Sequence, residues 1–232
     1  HGARRVVSGF AMTATLALTE NAAPSGRVGP NAVIQLANAL AEGLGPEAAR
    51  QVFGAAGCAH LLEKPPGEMI DERIPAHLFK TLWRSLPDAT ALWIAEDAGR
   101  RTGAYIVENR IPGIAKGVLR LLPRSVAARL LTGAIARHAW TFAGSGACRT
   151  LPGDPVVIEI ADNPIVMPAC VWHQAVFTSL FSELVGGDVT VRHSRCCGAG
   201  SETCRFEVTI RPARVTSAAQ PSTRTTPSGT CV

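Results

Sequence analysis

Seven cysteines occur in this chain of 232 residues, and four of them, Cys170, Cys196, Cys197 and Cys204, fall close together near its C-terminal end. Thiolates are soft metal donors, and the glycine-bearing loop from Cys197 to Thr203 is short enough to curl Cys196 and Cys204 onto one ion. Cys170 falls at the predicted first turn of a helix, where unsatisfied amides and the helix dipole favour a thiolate. His193, three residues before Cys196 at a predicted strand end, offers an imidazole. Cys170, His193, Cys196 and Cys204 would close a tetrahedral zinc site with four protein ligands, which makes the site structural rather than catalytic. The common CxxC spacing is absent, and Cys197 is an alternative third sulfur. The plainer reading is of buried cysteines acting as small hydrophobes. Cys58 and Cys148 read as core residues, and Cys231 lies in the C-terminal tail.

A second pattern is electrostatic. From Asn109 to Gly153 there is no Asp or Glu, while Arg110, Lys116, Arg120, Arg124, Arg129, Arg137 and Arg149 supply seven cations, more than the net charge of +5 of the whole chain. Leu119, Leu121, Leu122, Leu130 and Leu131 are interleaved with them. The mixture suits an anionic partner with apolar parts; a solvated basic face and a membrane-surface helix are the alternatives. Nucleic acid is not expected, since aromatics are scarce in the segment.

The elements that must position these residues follow from apolar periodicity. Between residues 29 and 143 the spacing is helical almost throughout. Gly29-Pro30-Asn31 starts a first helix that Gly45-Pro46 stops, and a second runs from Pro46 to about Ala59. A third holds Leu78 to Leu86 between Pro75 and Pro87, and a fourth runs from Asp88 to about Val107. Two more follow Pro112-Gly113, are split by Pro123 and end near Phe142. Residues 144–150 and 155–160 then read as a hairpin turning at Pro152-Gly153-Asp154. Cys170 to Val185 is helical again and is closed by Gly186-Gly187. Asp188 to His193 and Cys204 to Ile210 alternate as strands. The layout is α+β: a helical layer on a small antiparallel sheet.

Composition bounds the rest. With 47% hydrophobic and 18% charged residues the chain can bury one sizeable core. Residues 1–25 read as a tag or disordered N-terminus in which Met12 is a candidate native start, 26–211 as one domain, and 212–232 as a disordered tail. No apolar run reaches the length needed to cross a bilayer, and no secretory signal is visible, so a cytoplasmic location with reduced thiols is expected. Gly144-Ser145-Gly146 and Gly198-Ala199-Gly200 do not complete a dinucleotide fingerprint, and neither a P-loop nor G-x-S-x-G occurs. A binding or carrier role is expected over hydride transfer.

The run of Cys170, Glu183-Leu184-Val185-Gly186-Gly187-Asp188-Val189 and Cys196-Cys197-Gly198 to Cys204-Arg205-Phe206 resembles the 4-vinyl reductase domain family. That family includes sensory domains of aromatic-responsive activators and shares its fold with vesicle-tethering components. Gly29-Pro30-Asn31-Ala32, Leu44 to Ala49 and the helix carrying Leu78 to Leu86 resemble its J-type branch, which belongs to bacteriochlorophyll biosynthesis in purple bacteria. The resemblance spans about residues 26–211. It implies a ligand-binding fold and a zinc ion on Cys170, Cys196 and Cys204, whose separations match the sensory relatives. His193 stands where those relatives have an acidic residue, which leaves Cys197 and Glu202 as substitutes for the fourth ligand.

The resemblance also implies a magnesium-porphyrin or chlorophyllide ligand and, as candidate partners, magnesium chelatase, the porphyrin methyltransferase and a second copy of the chain in a homodimer. Peripheral contact with the photosynthetic membrane is compatible with it. For such a ligand, Arg120, Arg124, Arg129 and Arg137 are candidates to grip the propionates and His138 to ligate the magnesium, with His173 and His60 behind it. Trp140, Trp172 and Trp93 are candidate stacking surfaces. An 8-vinyl reductase and a small-molecule sensor are the alternative functions.

Overall fold

In the computed structural model, which describes residues 26–212, the helical half follows the proline and glycine punctuation closely. The expectations for the N-terminal extension and for the tail beyond residue 212 lie outside the described residues. A short strand β1 (Arg27–Val28) leads into α1 (Asn31–Leu44), and α2 (Pro46–Ala55) follows at once. Gly45 makes that break possible, because its φ of 93° is a left-handed conformation that side chains with a Cβ resist. The second helix ends at Ala55 rather than near Ala59, and one separate turn, α3 (His60–Glu63), follows it.

Strand β2 (Ile70–Asp71) pairs antiparallel with β1. The next helix, α4 (Arg73–Ser85), begins before the position predicted for it. Pro75 was expected to bound this helix but lies within its first turn, where its missing N–H has no intrahelical partner to lose. Then come α5 (Asp88–Asn109), α6 (Gly113–Leu121), α7 (Arg124–Arg137) and the short α8 (Trp140–Ala143). Prolines 87, 112 and 123 occupy the N-cap positions of α5, α6 and α7.

The predicted hairpin is present as β3 (Ala147–Leu151) and β4 (Val156–Ala161). After a single 3-10 turn (Pro168–Cys170) the chain enters α9 (Val171–Leu184), then β5 (Asp188–Arg195), a second 3-10 turn (Cys197–Ala199) and β6 (Thr203–Arg211). The four strands form one antiparallel sheet in the order β3-β4-β6-β5. The α+β layout expected from the sequence is therefore the observed one.

Helix α9 carries the core. It lies between the sheet and α5, and Trp172, Val176, Phe177, Leu180, Phe181 and Leu184 are all buried. A helix covered on both sides needs apolar residues around most of its circumference, which is what this one has. On the other side α5 offers small residues. A Cβ added to Gly99 would lie 2.4 Å from the Trp172 carbonyl oxygen, and one added to Gly103 would lie 2.5 Å from Ser179 Cβ. These two glycines, one turn apart, let the backbones of α5 and α9 approach closely. Strand alternation places Ile158, Ile160, Cys204 and Phe206 on the face that meets α9. Glu159, Arg205 and Arg149 lie on the opposite face, joined by ion pairs.

Cys58 and Cys148, expected in the core, are half-buried at its margin. Burial is still enough to push the Cys148 thiol up to about 11.

Candidate metal centre

The donor atoms of Cys170, His193, Cys196 and Cys204 all lie within 4.8 Å of one another. Cys170 Sγ is 3.8 Å from Cys204 Sγ and 4.0 Å from Cys196 Sγ. These separations are far too long for a disulfide. They match the edge of a zinc tetrahedron, which is about 3.8 Å for Zn–S bonds of about 2.3 Å.

Four pieces of backbone deliver the donors. Cys170 is the N-cap residue of α9, just outside the first turn predicted for it, and both it (φ 43°) and Ala169 (φ 55°) adopt left-handed conformations. Two such residues in succession cost of the order of 1–2 kcal/mol each, and they turn the Cys170 side chain toward the sheet. Cys204 sits on β6 beside Ile160, and His193 on β5 beside Phe206. A register irregularity between His193 and Arg195 precedes Cys196. The imidazole is held by stacking on the Phe206 ring, with centroids 4.8 Å apart and planes 19° from parallel.

The electrostatics of the cluster favour a thiolate. Cys204 is held well below the ordinary thiol range because Cys170 donates to it, with the Cys197 backbone N–H adding a bond of 3.3 Å against the opposing effect of burial. Cys170, the donor of that pair, is pushed up by the same hydrogen bond and then by burial. His193 Nε2 and Asn163 Nδ2 approach the Cys204 sulfur without normal hydrogen-bond geometry, and both are buried with no partner among the described residues. A buried imidazole nitrogen with no other partner among the described residues, beside three sulfurs, is free to act as a metal donor, so the N1S3 set could hold a metal ion. A metal ion bound here would have to displace the Cys170 proton, so its affinity would fall as pH falls.

The two substitutes for the fourth ligand are not among these four donors, although Cys197 lies close enough to interact with Cys204 and Cys196. The Cys197 thiol faces the carbonyls of Ile160 and Glu202, and Glu202 lines a polar cleft of about 400 Å³ together with Arg149, Glu159 and Arg195.

The residues proposed for a tetrapyrrole are dispersed. Arg120, Arg124, Arg129, Arg137, His138 and Trp140 are all exposed along α6, α7 and the start of α8. Arg120 donates to the Glu183 backbone carbonyl and faces the Glu183 carboxylate, which ties α6 to the end of α9. None of the six lines the polar cleft or the apolar one described next. Trp93 is partly exposed against α1, Trp172 and His173 are buried, and His60 is exposed. A chain read one residue at a time gives spacing along α6 and α7 but not the direction in which their faces point.

A cleft that the sequence did not reveal lies next to the cysteine cluster. It has a volume of about 450 Å³ between α4 and residues 164–168, and it is lined by Phe79, Trp83, Val166 and Met167 with Lys80 and Arg84. The spacing of Phe79, Lys80, Trp83 and Arg84 on α4 could have signalled it, since i, i+1, i+4 and i+5 place an aromatic pair beside a cationic pair. The cysteine loop supports its wall: a Cβ on Gly198 would lie 2.5 Å from Val166 Cγ1, and the Cys170 N–H donates to the Met167 carbonyl. Neither short glycine sequence forms a phosphate cradle. The Ser145 N–H of the first is given to the Glu72 carboxylate, and the second closes the cysteine turn.

Comparison with known proteins identifies the family of this chain. Residues 157–210 match the V4R domain family model. The bacteriochlorophyll synthase 23 kDa chain of Cereibacter sphaeroides is 43% identical over 197 residues, covering 82% of this chain and 94% of that protein. The protein of the same name from Rhodobacter capsulatus is 38% identical over 187 residues, covering 78% of this chain and 85% of that protein. Among solved structures, the phenol-responsive sensory domain of the transcription activator PoxR aligns with a TM-score of 0.46 at 16% identity, over 62% of this chain and 77% of that one.

Proposed function

Since this chain belongs to the family of the bacteriochlorophyll synthase 23 kDa chains, and carries their V4R domain, we propose that it serves bacteriochlorophyll biosynthesis by binding a magnesium-porphyrin or chlorophyllide intermediate. In this reading it carries the pigment and presents it to the enzymes that make and use it, magnesium chelatase and the porphyrin methyltransferase among them. The supporting observation is the cleft beside the cysteine cluster. It sets the apolar surfaces of Phe79, Trp83, Val166 and Met167 against the cationic ends of Lys80 and Arg84. A tetrapyrrole with carboxylates needs that pairing, an apolar wall for the ring and cations for its acidic edge. The cluster of Cys170, His193, Cys196 and Cys204 holds a structural zinc ion whose role is to fix the loop at Val166 and Met167 that walls the cleft.

The test is a titration of the full chain with magnesium protoporphyrin, followed by the Soret band and by quenching of tryptophan fluorescence. A saturable shift is expected, with affinity at least about tenfold weaker in Lys80→Ala/Arg84→Ala, since each charge-assisted hydrogen bond is worth about 1.5–3 kcal/mol. An unshifted Soret band in the wild-type protein overturns pigment binding. Loss of binding in Arg129→Ala/Arg137→Ala, with Lys80→Ala/Arg84→Ala unaffected, overturns the cleft as its seat.

A further inference from the structure

Helix α6 turns three of its four large apolar residues away from the protein. Ile114, Val118 and Leu121 follow one another at helical spacing on one face, and Ile114 and Leu121 are 85% and 88% exposed. The opposite side of the same helix makes its contacts with the body. Leu119 packs against the core and Arg120 bonds to the end of α9. No residue of α6 is buried. Exposed apolar side chains continue in Val126 and Leu130 on α7 and Trp140 on α8. Of the ten large hydrophobic side chains exposed among the described residues, these six lie within a stretch of 27 residues. An apolar concentration of this kind on a surface calls for a partner.

The charge around it selects the partner. The stretch from Asn109 to Gly153 has seven cations and no carboxylate of its own. Arg120 is engaged with Glu183, and Arg110 lies over the Tyr105 ring, but Lys116, Arg129 and Arg137 flank the apolar residues and form no ion pair among the described residues. A second copy of this chain, meeting the same face across a two-fold axis, would bring cations against cations. A small ligand needs a concavity, whereas α6 presents a convex ridge.

We propose that α6, with the exposed side chains of α7 and Trp140, is a docking surface for an anionic lipid bilayer. The helix lies in the interface with Ile114, Val118 and Leu121 in the acyl boundary and the lysine and arginines at the headgroup phosphates. No helix of the described residues is long and apolar enough to cross a membrane, so the contact is peripheral. This proposal does not depend on pigment binding, because none of its residues lines the cleft on α4.

The experiment is co-sedimentation of the full chain with vesicles of phosphatidylcholine alone and of phosphatidylcholine with about one-third phosphatidylglycerol, a composition that gives the strong negative surface such clusters recognise. The wild-type protein is expected to pellet with the mixed vesicles only, and to be released by high salt. Ile114→Asp/Leu121→Asp, both at exposed positions, is expected to bind at least about tenfold more weakly, on the basis of the apolar area withdrawn. Its circular dichroism and thermal midpoint should match the wild type. Lys116→Gln/Arg129→Gln keeps the apolar ridge and is expected to lose the preference for anionic vesicles. The proposal is overturned by wild-type protein that stays in the supernatant, by equal binding to both kinds of vesicle, or by undiminished binding of the aspartate variant. It is also overturned if the aspartate substitutions instead convert a dimer into a monomer without any vesicle binding by the wild type.

Discussion

The sulfurs of Cys170 and Cys204 lie 3.8 Å apart although 34 residues separate them in the chain. One belongs to the residue that opens α9 and the other to the strand against which α9 packs, so whatever joins them fixes the helix start to the sheet.

Protein purified without added metal is therefore expected to contain about one zinc per chain by elemental analysis. Cys204→Ser should carry less than about a tenth of that amount and unfold at least 10 °C lower, a loss of about 3 kcal/mol or more for a domain of this size. A wild-type protein that is free of metal and insensitive to chelators would remove the ion from the account.

His173 gives a pH signature of its own. Burial among Trp172, Phe177 and Phe206 lowers its pKa from the ordinary imidazole value to about 4. The folded state thus disfavours the protonated form, so the unfolded chain binds the extra proton as pH drops below about 6.5. Stability should be at its plateau above pH 6.5 and decline as pH falls from there toward 4, by an amount of the order of 3 kcal/mol. Urea denaturation across this range should show the decline in the wild type. His173→Phe should reduce the decline above pH 5, where Glu159 and Glu207, whose pKa values are lowered, have yet to titrate, and leave only the part that a chelator also removes.

The close approach of α5 and α9 should be intolerant of side chains. Gly103→Val would drive methyl groups into Ser179 and the Val176 carbonyl and is expected to cost about 2–4 kcal/mol by chemical denaturation. The exposed Gly117 on α6, where a Cβ would meet nothing within 4 Å, should accept alanine with a small gain in stability.

Glu72 is buried, and its carboxylate accepts hydrogen bonds from the Ser145 N–H and Oγ, 73 residues away. It pins the turn before β3 to the start of α4. Glu72→Ala should destabilise by about 2–3 kcal/mol, since both donors lose a charged acceptor. Ser145→Ala, which removes only the hydroxyl, should cost less than half of that in the same thermal assay.

How much of this was readable beforehand depended on whether the signal was local. Gly45-Pro46, Pro112 and Pro123 constrain their own backbone, and each marks a real break. Pro75 misled because the same ring is tolerated inside a first turn, and the sequence does not say where a turn begins. Strands β1 and β2 have two residues each, too few for any alternation to appear. The cysteine spacing pointed to the cluster, but the arginines of α6 and α7 gave no hint of whether they faced a cleft or the solvent. The cleft itself joins α4 to a loop some 80 residues later, and the packing of Gly99 and Gly103 is legible only once α9 is in place. Interior glycines in a helix otherwise read as a weakness.

The sheet order β3-β4-β6-β5 has a consequence for biogenesis. The last of the described strands in chain order is an interior one, and it alone pairs with β5 while also bearing Cys204. Until it emerges, β5 has no neighbour in the sheet, and β4 exposes an edge that other nascent chains could join. A polypeptide that stops short of residue 203 would lose far more than one strand, because the part of the sheet already synthesised would have nothing to close upon.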